Sequence, residues 1–230
     1  MCGIAGLVGL SKTRGPDAGV IEHFADALAH RGPDGQGAYR NGSCVLVHTR
    51  LAIIDVEGGN QPFVARRDSG DEVALIANGE IYNNPELRQN MSATPFSSLS
   101  DCEPPLHLYL KHGLDFVDQL RGMYAIAIWD AAHERLVLSR DPFGIKSLYY
   151  AQTPLGFAFA SEPRALIAPN LKSAVLNVDK RDELLQLQFT TGTDTAFTGI
   201  HRVAPGETIV VENGSIVERR HRQALPSGGP

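Results

Sequence analysis

Cysteine is scarce in this chain: three among 230 residues, an odd number that cannot all pair internally. The start carries no basic segment leading into an apolar core, so no export signal is read there. Together these features predict free thiols in a reducing, cytoplasmic compartment. Positive charge is also short. Lys and Arg number 21 against 26 Asp and Glu, for a net charge of −5. That balance excludes the basic footprint of a nucleic-acid or anionic-membrane binder. Long apolar runs are missing too, and none approaches the ~18–20 residues of a membrane span. The eight histidines neither cluster with cysteine nor take the ligand spacing of a zinc site, so no metal is expected. Repeats, charge blocks and low-complexity linkers are absent before the last few residues.

What is present is a chain long enough for one large or two small domains, on a prior of ~150 residues each. Gly3–Gly9 reads as a short strand of small and apolar residues. Ala18–His30 reads as a helix with Ile21, Phe24, Ala25 and Leu28 on one face, started at Gly15-Pro16-Asp17. Strands are predicted at Cys44–His48, Ala52–Ile54 and Glu72–Ala77, with Cys44 a core cysteine. A second helix is predicted from a capping box at Ser100 and Glu103 to a stop at Gly113. After a short helical stretch at Asp115–Leu120 come strands at Met123–Trp129, Arg135–Ser139, Leu148–Ala151 and Phe157–Ala160. Glu207–Glu212 and Ser215–Glu218 form a hairpin, because Asn213-Gly214 suits a type I′ turn. The pattern is α+β, with mostly antiparallel sheets. Pro226–Pro230 reads as a frayed tail.

The second residue is a cysteine, and removal of Met1 makes it the N-terminal one. Thiol and α-amine then share a residue, and an amine with a reference pKa of ~7.7–8.0 is a usable base at neutral pH. Several polar stretches do not look like ordinary loops. They are His30-Arg31-Gly32-Pro33-Asp34, His48-Thr49-Arg50-Leu51-Ala52-Ile53-Ile54-Asp55, Gly59-Asn60-Gln61-Pro62 and Asn78-Gly79-Glu80-Ile81-Tyr82-Asn83. Ser100-Asp101-Cys102-Glu103, Arg140-Asp141-Pro142-Phe143-Gly144-Ile145-Lys146 and Ala160-Ser161-Glu162 follow. With Met1-Cys2-Gly3-Ile4, and in this order, they resemble the glutaminase domain of class II glutamine amidotransferases in its asparagine synthetase version. The glucosamine-phosphate synthase and phosphoribosyl-amidotransferase branches read differently at residues 51–55 and 78–83.

The resemblance covers residues 2–220 and implies an N-terminal-nucleophile hydrolase fold, an αββα sandwich with two mostly antiparallel sheets between helix layers. It implies one glutaminase domain over 1–220 with a tail at 221–230. Cys2 would be the nucleophile, and Asn78 and Gly79 the oxyanion hole. Arg50 would grip the α-carboxylate of L-glutamine and Asp101 its α-ammonium, with Glu80 and the backbone of Leu51, Ile53 and Ile54 around the ligand. The same residues make sense alone. A zwitterion needs a fixed cation and a fixed anion, and a planar guanidinium matches a carboxylate. A tetrahedral intermediate needs preorganised donors, which an Asn amide and a Gly N–H can supply. Arg31 and Asp34 have no chemical step in this reading and pass as a structural turn.

The resemblance implies no cofactor in this chain. ATP and magnesium belong to a partner synthetase domain or subunit that receives the ammonia, and a homodimer is left open. Ser227-Gly228-Gly229 runs into Pro230 with no buried strand before it, so it reads as tail and not as part of a pyrophosphate loop. Two departures from the family pattern stand out. Ser147 replaces a proline, which predicts a looser turn. Pro104-Pro105 follows Glu103 where apolar helix formers are usual. If Ser100 is the cap, Pro105 removes a hydrogen bond that should reach back toward Asp101. That feature favours the alternative reading, a non-catalytic module that binds glutamine or a partner. A third reading, hydrolysis of another amide, is opposed by the Arg50/Asp101 pair.

Overall fold

The computed structural model describes residues 1–10, 18–168 and 171–224. In chain order the elements are β1 (Gly3–Gly9), α1 (Ala18–Leu28), β2 (Gly35–Asn41), β3 (Cys44–Arg50), β4 (Phe63–Arg66) and β5 (Glu72–Ile81). There follow α2 (Asn84–Asn90), α3 (Pro104–His112), β6 (Gly122–Asp130), β7 (Arg135–Arg140), β8 (Tyr149–Thr153) and β9 (Gly156–Ala160). The last are α4 (Pro163–Leu166), α5 (Val178–Leu187), β10 (Ile200–Arg202), β11 (Glu207–Glu212) and β12 (Ser215–His221). 3-10 turns at Ala29–Arg31 and Gly113–Gln119 extend α1 and α3.

The strands form two six-stranded sheets, β10-β8-β9-β1-β3-β2 and β12-β11-β7-β6-β5-β4, and neighbouring strands pair antiparallel throughout. Successive side chains of a strand point to opposite faces, and here both faces are covered. Ile4, Val8 and Leu46 of the first sheet meet Ala74, Ile76, Ala125 and Leu138 of the second in a central core. Ala5, Leu7 and Val45 point outward beneath Phe24 and Leu28 of α1 and Leu166 of α4. Val73, Leu75 and Ile128 point outward beneath Leu87 of α2 and Leu106 and Tyr109 of α3. The layer order is helix, sheet, sheet, helix. Burial on both faces explains why these strands read as continuous apolar runs in the sequence.

The hairpin is as expected, with Asn213 at φ 50° and Gly214 at φ 70°, the left-handed pair of a type I′ turn. Cys44 lies in the central core, fully buried. The predicted start of α1 and the Pro226–Pro230 tail fall outside the described residues. Two expectations fail. Ala52–Ile54 is loop and not strand, because its polar backbone is taken by side chains. Asp34 Oδ2 accepts from the Ala52 N–H at 2.9 Å, and Arg50 Nη2 donates to the carbonyls of Ile54 (3.3 Å) and Asp55 (2.5 Å). The capping box at Ser100 is also absent. The helix starts at Pro104, and the Glu103 carboxylate instead accepts from the N–H and hydroxyl groups of Ser97 and Ser98 at 2.7–2.8 Å. Both prolines therefore stand in the first turn, where helix N–H groups have no intrahelical partner to lose. Nothing pulls Asp101 out of place, and the one feature favouring a non-catalytic module lapses.

Candidate active site

The strand ends converge on one cavity. The antiparallel register pairs Gly3 with Thr49, which brings Cys2 level with Arg50 at the end of β3. β5 crosses the same end of the second sheet and carries Asn78, Gly79 and Glu80 there. A cavity of about 250 Å³ is lined by Cys2, Arg50, Leu51, Ile53, Ile54, Asn78, Gly79, Glu80 and Asp101. The structure thus brings together every residue the sequence singled out for the site. Its wall is completed by residues the sequence did not assign, among them His48, Gln61, Cys102, Met123 and Lys146.

Cys2 is the accessible thiol. It is half-buried, whereas Cys44 and Cys102 are buried, and burial pushes both of their thiols well up. A thiol held protonated is a poor nucleophile, so reactivity falls to Cys2. The Leu51 N–H donates to Cys2 Sγ at 3.4 Å. Arg31 Nε donates to the Cys2 carbonyl at 3.0 Å, and Arg31 Nη1 is itself held by Glu162 at 2.7 Å. Arg31, expected only to shape a turn, is therefore a brace for the nucleophile. Its partner Glu162 stands in the Ala160-Ser161-Glu162 motif, whose Ser161 Oγ accepts from the Ile4 N–H at 3.0 Å.

Asn78 is 2% exposed, and its Nδ2 is a buried donor without a hydrogen-bond partner. Buried polar groups are nearly always paired, so an orphan on a cavity wall marks a donor held for a ligand. Gly79 is required by packing: a Cβ there would lie 2.5 Å from the Met123 carbonyl and 2.9 Å from Tyr124 Cα on the neighbouring strand. The steric demand comes from β6. Gln61 ties the loop after β3 to β5, its amide exchanging hydrogen bonds with the Ala77 N–H (2.6 Å) and carbonyl (3.2 Å).

Arg50 is 6% exposed. Besides its two Nη2 bonds it donates through Nη1 to the Val56 carbonyl (2.7 Å) and Asn60 Oδ1 (2.9 Å). The guanidinium thus orders residues 54–60 into the cavity wall, and Gly59 has to be small because a Cβ would meet Nη2 at 2.8 Å. Asp101, 5% exposed, accepts the Ile81 N–H at 2.6 Å. Among the described residues no cation comes within the 4.0 Å of an ion pair. Burial, reinforced by the charge of Glu80, pushes its carboxyl above the usual range against the pull of its backbone hydrogen bonds. His48 is lowered to about 4, by burial and then by the charge of Arg50, and is neutral at pH 7. Among the described residues no cluster of three or more His, Cys, Asp or Glu could hold a metal ion, and no helix is long and apolar enough to cross a membrane.

The layers and the position of the cavity define the αββα sandwich of the N-terminal-nucleophile hydrolases. Residues 1–222 match the family model described as a glutamine amidotransferase domain, and the chain belongs to that family. It is 35% identical over 213 residues to glutamine-hydrolyzing asparagine synthetase 3 of Bacillus subtilis, covering 91% of this chain and 34% of that protein. It is 44% identical over 142 residues to glutamine-hydrolyzing asparagine synthetase 1 of Saccharomyces cerevisiae, covering 60% of this chain and 24% of that one. The chain therefore spans about a third or less of these relatives. Among solved structures, the allosteric regulatory enzyme of purine biosynthesis superposes with a TM-score of 0.70 at 20% identity, over 96% of this chain and 49% of that one. Glutamine phosphoribosylpyrophosphate amidotransferase from B. subtilis does so at 0.69 and 18%, with the same coverage of each chain. At that identity the likeness is one of fold.

Proposed function

We propose that this domain hydrolyses L-glutamine to glutamate and ammonia through a thioester on Cys2, and that the ammonia serves an asparagine synthetase-type amide-forming domain or subunit. The observation that carries the reading is the orphaned Asn78 amide nitrogen on the wall of the cavity that holds the accessible thiol. In this reading Met1 is removed. The Cys2 α-amine takes the thiol proton as sulfur attacks the carboxamide carbon. Negative charge develops on the carboxamide oxygen, where Asn78 Nδ2 and the Gly79 N–H receive it. The ammonium returns its proton to the leaving nitrogen, the C–N bond breaks, and ammonia departs from a γ-glutamyl thioester. Water then attacks the thioester, the amine takes one of its protons, and the C–S bond breaks to give glutamate and free thiol.

The two ends of the substrate meet opposite charges. The α-ammonium completes Asp101, whose buried carboxylate has no cation of its own among the described residues, and Glu80 adds a second negative charge. The α-carboxylate is met by Arg50, whose η nitrogens exchange loop carbonyls for it, and by the backbone of Leu51, Ile53 and Ile54. ATP and magnesium have their place in the synthetase partner, not in this chain. Free cysteines throughout the chain suit a reducing cytoplasm, and association into a homodimer is compatible with this scheme. The test is to incubate the pure protein with glutamine, aspartate, ATP and magnesium and to assay glutamate, AMP and asparagine. Glutamate without AMP or asparagine is expected, and none from Cys2→Ala. No glutamate even with a synthetase partner present would refute the reading.

A further inference from the structure

The stretch from Arg140 to Lys146 has no part in the chemistry above, yet it is one of the most tightly tied turns in the molecule. Asp141, wholly buried, accepts backbone N–H groups from Phe143 (3.1 Å), Ile145 (3.0 Å), Lys146 (3.0 Å) and Tyr124 (3.3 Å). Arg140 donates to the carbonyls of Lys146 (2.7 Å), Val203 (2.7 Å) and Gly144 (2.6 Å). The backbone of Lys146 is thus pinned on both its N–H and its carbonyl. Its side chain runs inward, 8% exposed, and joins the wall of the cavity that Cys2 and Asp101 also line. Nζ lies 3.7 Å from Met1 Sδ, and among the described residues no carboxylate oxygen comes within the 4.0 Å of an ion pair. An ammonium withdrawn from water without an anionic partner is costly, and here a rigid turn is built to present one.

We propose that Lys146 is an electrostatic positioning residue for the nucleophile. Its ammonium reaches the side chain of Met1, the residue before Cys2. Once Met1 is gone, its charge keeps the Cys2 α-amine unprotonated, ready to act as base, and favours the Cys2 thiolate. A like charge nearby disfavours an ammonium and favours an anion. The other charged groups around Cys2 are arranged differently. Arg31, from the turn after α1, is paired with Glu162, which precedes α4. Arg50 on β3 carries a charge of the same sign, which His48 feels, but its guanidinium is aimed at the carbonyls of Ile54, Asp55 and Val56, and His48 is neutral. Glu80 on β5 and Asp101 before α3 are negative and act in the opposite sense, and the buried Cys102 thiol carries no charge.

The proposal rests on Cys2 being the N-terminal nucleophile, but its test does not require glutamine turnover. Mature protein, checked by mass for loss of Met1, is alkylated with iodoacetamide across the neutral pH range, and the rate at Cys2 is read by peptide mapping. Lys146→Met should move the midpoint of the profile up by about one pH unit and slow alkylation about tenfold near neutrality. Lys146→Arg should restore the wild-type midpoint. A wild-type midpoint in Lys146→Met, or equal displacement in both variants, would overturn the proposal. Lys146→Gln repeats the test if the methionine variant unfolds, and unfolding of both neutral variants would assign Lys146 to stability alone. Glutamate release, assayed in parallel, reports separately on the glutaminase reading.

Discussion

The two ends of the β5–β6 ladder hold buried aspartates with opposite fates. Asp130, opposite Val73 at one end, is 1% exposed and accepts hydrogen bonds from Arg67 (2.7 and 2.8 Å), the Tyr109 hydroxyl (2.8 Å) and His133 (2.9 Å). Burial alone would raise its pKa, but these partners win and hold it at about 2. At the other end, Asp101 beside Asn78 and Gly79 is buried almost as deeply, yet burial wins and its pKa rises. The difference is one of partners. Asp130 has a finished shell and belongs to the scaffold. Among the described residues Asp101 lacks a cation and Asn78 Nδ2 lacks an acceptor, and a ligand that brings both would complete the cavity end. An α-amino acid carboxamide has an ammonium for the first and a carbonyl oxygen for the second.

The largest expected effect is at Asn78. Asn78→Ala should cost about 10²–10³ in glutaminase turnover with little change in KM, because an oxyanion donor acts mainly in the transition state. A raised KM with unchanged kcat would move Asn78 from the chemistry to substrate binding. Arg50→Lys should lower kcat/KM for glutamine by about ten- to a hundredfold, in the range of hydrogen bonds to charged groups at about 1.5–3 kcal/mol. A lysine reproduces neither the fork for a carboxylate nor the ties to residues 54–60. Near-normal steady-state kinetics would place Arg50 off the ligand.

A stability comparison sharpens the contrast. Asp130→Asn should destabilise the fold by about 1.5–3 kcal/mol in denaturant titration, since it strips charge from a shell built around it. Asp101→Asn should go the other way. A carboxyl with a raised folded pKa destabilises the protein once ionised, so the amide should raise stability at neutral pH while lowering kcat/KM for glutamine. Equal losses in both variants would erase the distinction between the two ends.

The remaining effects lie in the pH dependence. Unfolded His48 protonates near ~6.5, but in the fold only at about 4. The unfolded state binds more protons in that interval, so stability falls as pH drops through it. Asp130, folded at about 2 against ~3.9 unfolded, adds a second loss below it, with its contribution fully present above pH ~4. His48→Gln should flatten the upper limb and Asp130→Asn the lower. Unaltered limbs in both variants would mean that neither group is perturbed as described.

Much of this was legible in sequence. Gly3–Gly9 and the Asn213-Gly214 hairpin carry strong local signals, and both stand as read. β2, Gly35–Asn41, escapes because it is an edge strand of glycine and polar residues with little propensity of its own. α5 escapes because none of its residues is buried, so it carries no apolar stripe to detect. Ala52–Ile54 misleads because its apolar side chains suggest a strand, while Asp34 and Arg50 bind the backbone groups a ladder would need. At the site, the residues that touch ligand in our reading were visible as motif chemistry. The bracing of Cys2 by Arg31 was not, since that contact spans 29 residues and exists only once α1 has packed on β1. Lys146 stood in a recognised motif, but only the fold shows that its side chain reaches the cavity.

The most direct test of the central claim, that the cavity end is a glutamine site with Cys2 as its nucleophile, is labelling by a glutamine-mimicking electrophile followed by peptide mapping. The account predicts one adduct, on Cys2 of a chain that has lost Met1, with glutamine protecting wild type and protecting Asp101→Asn poorly. Labelling of Cys44 or Cys102, or labelling of Cys2 that glutamine does not slow, would contradict it.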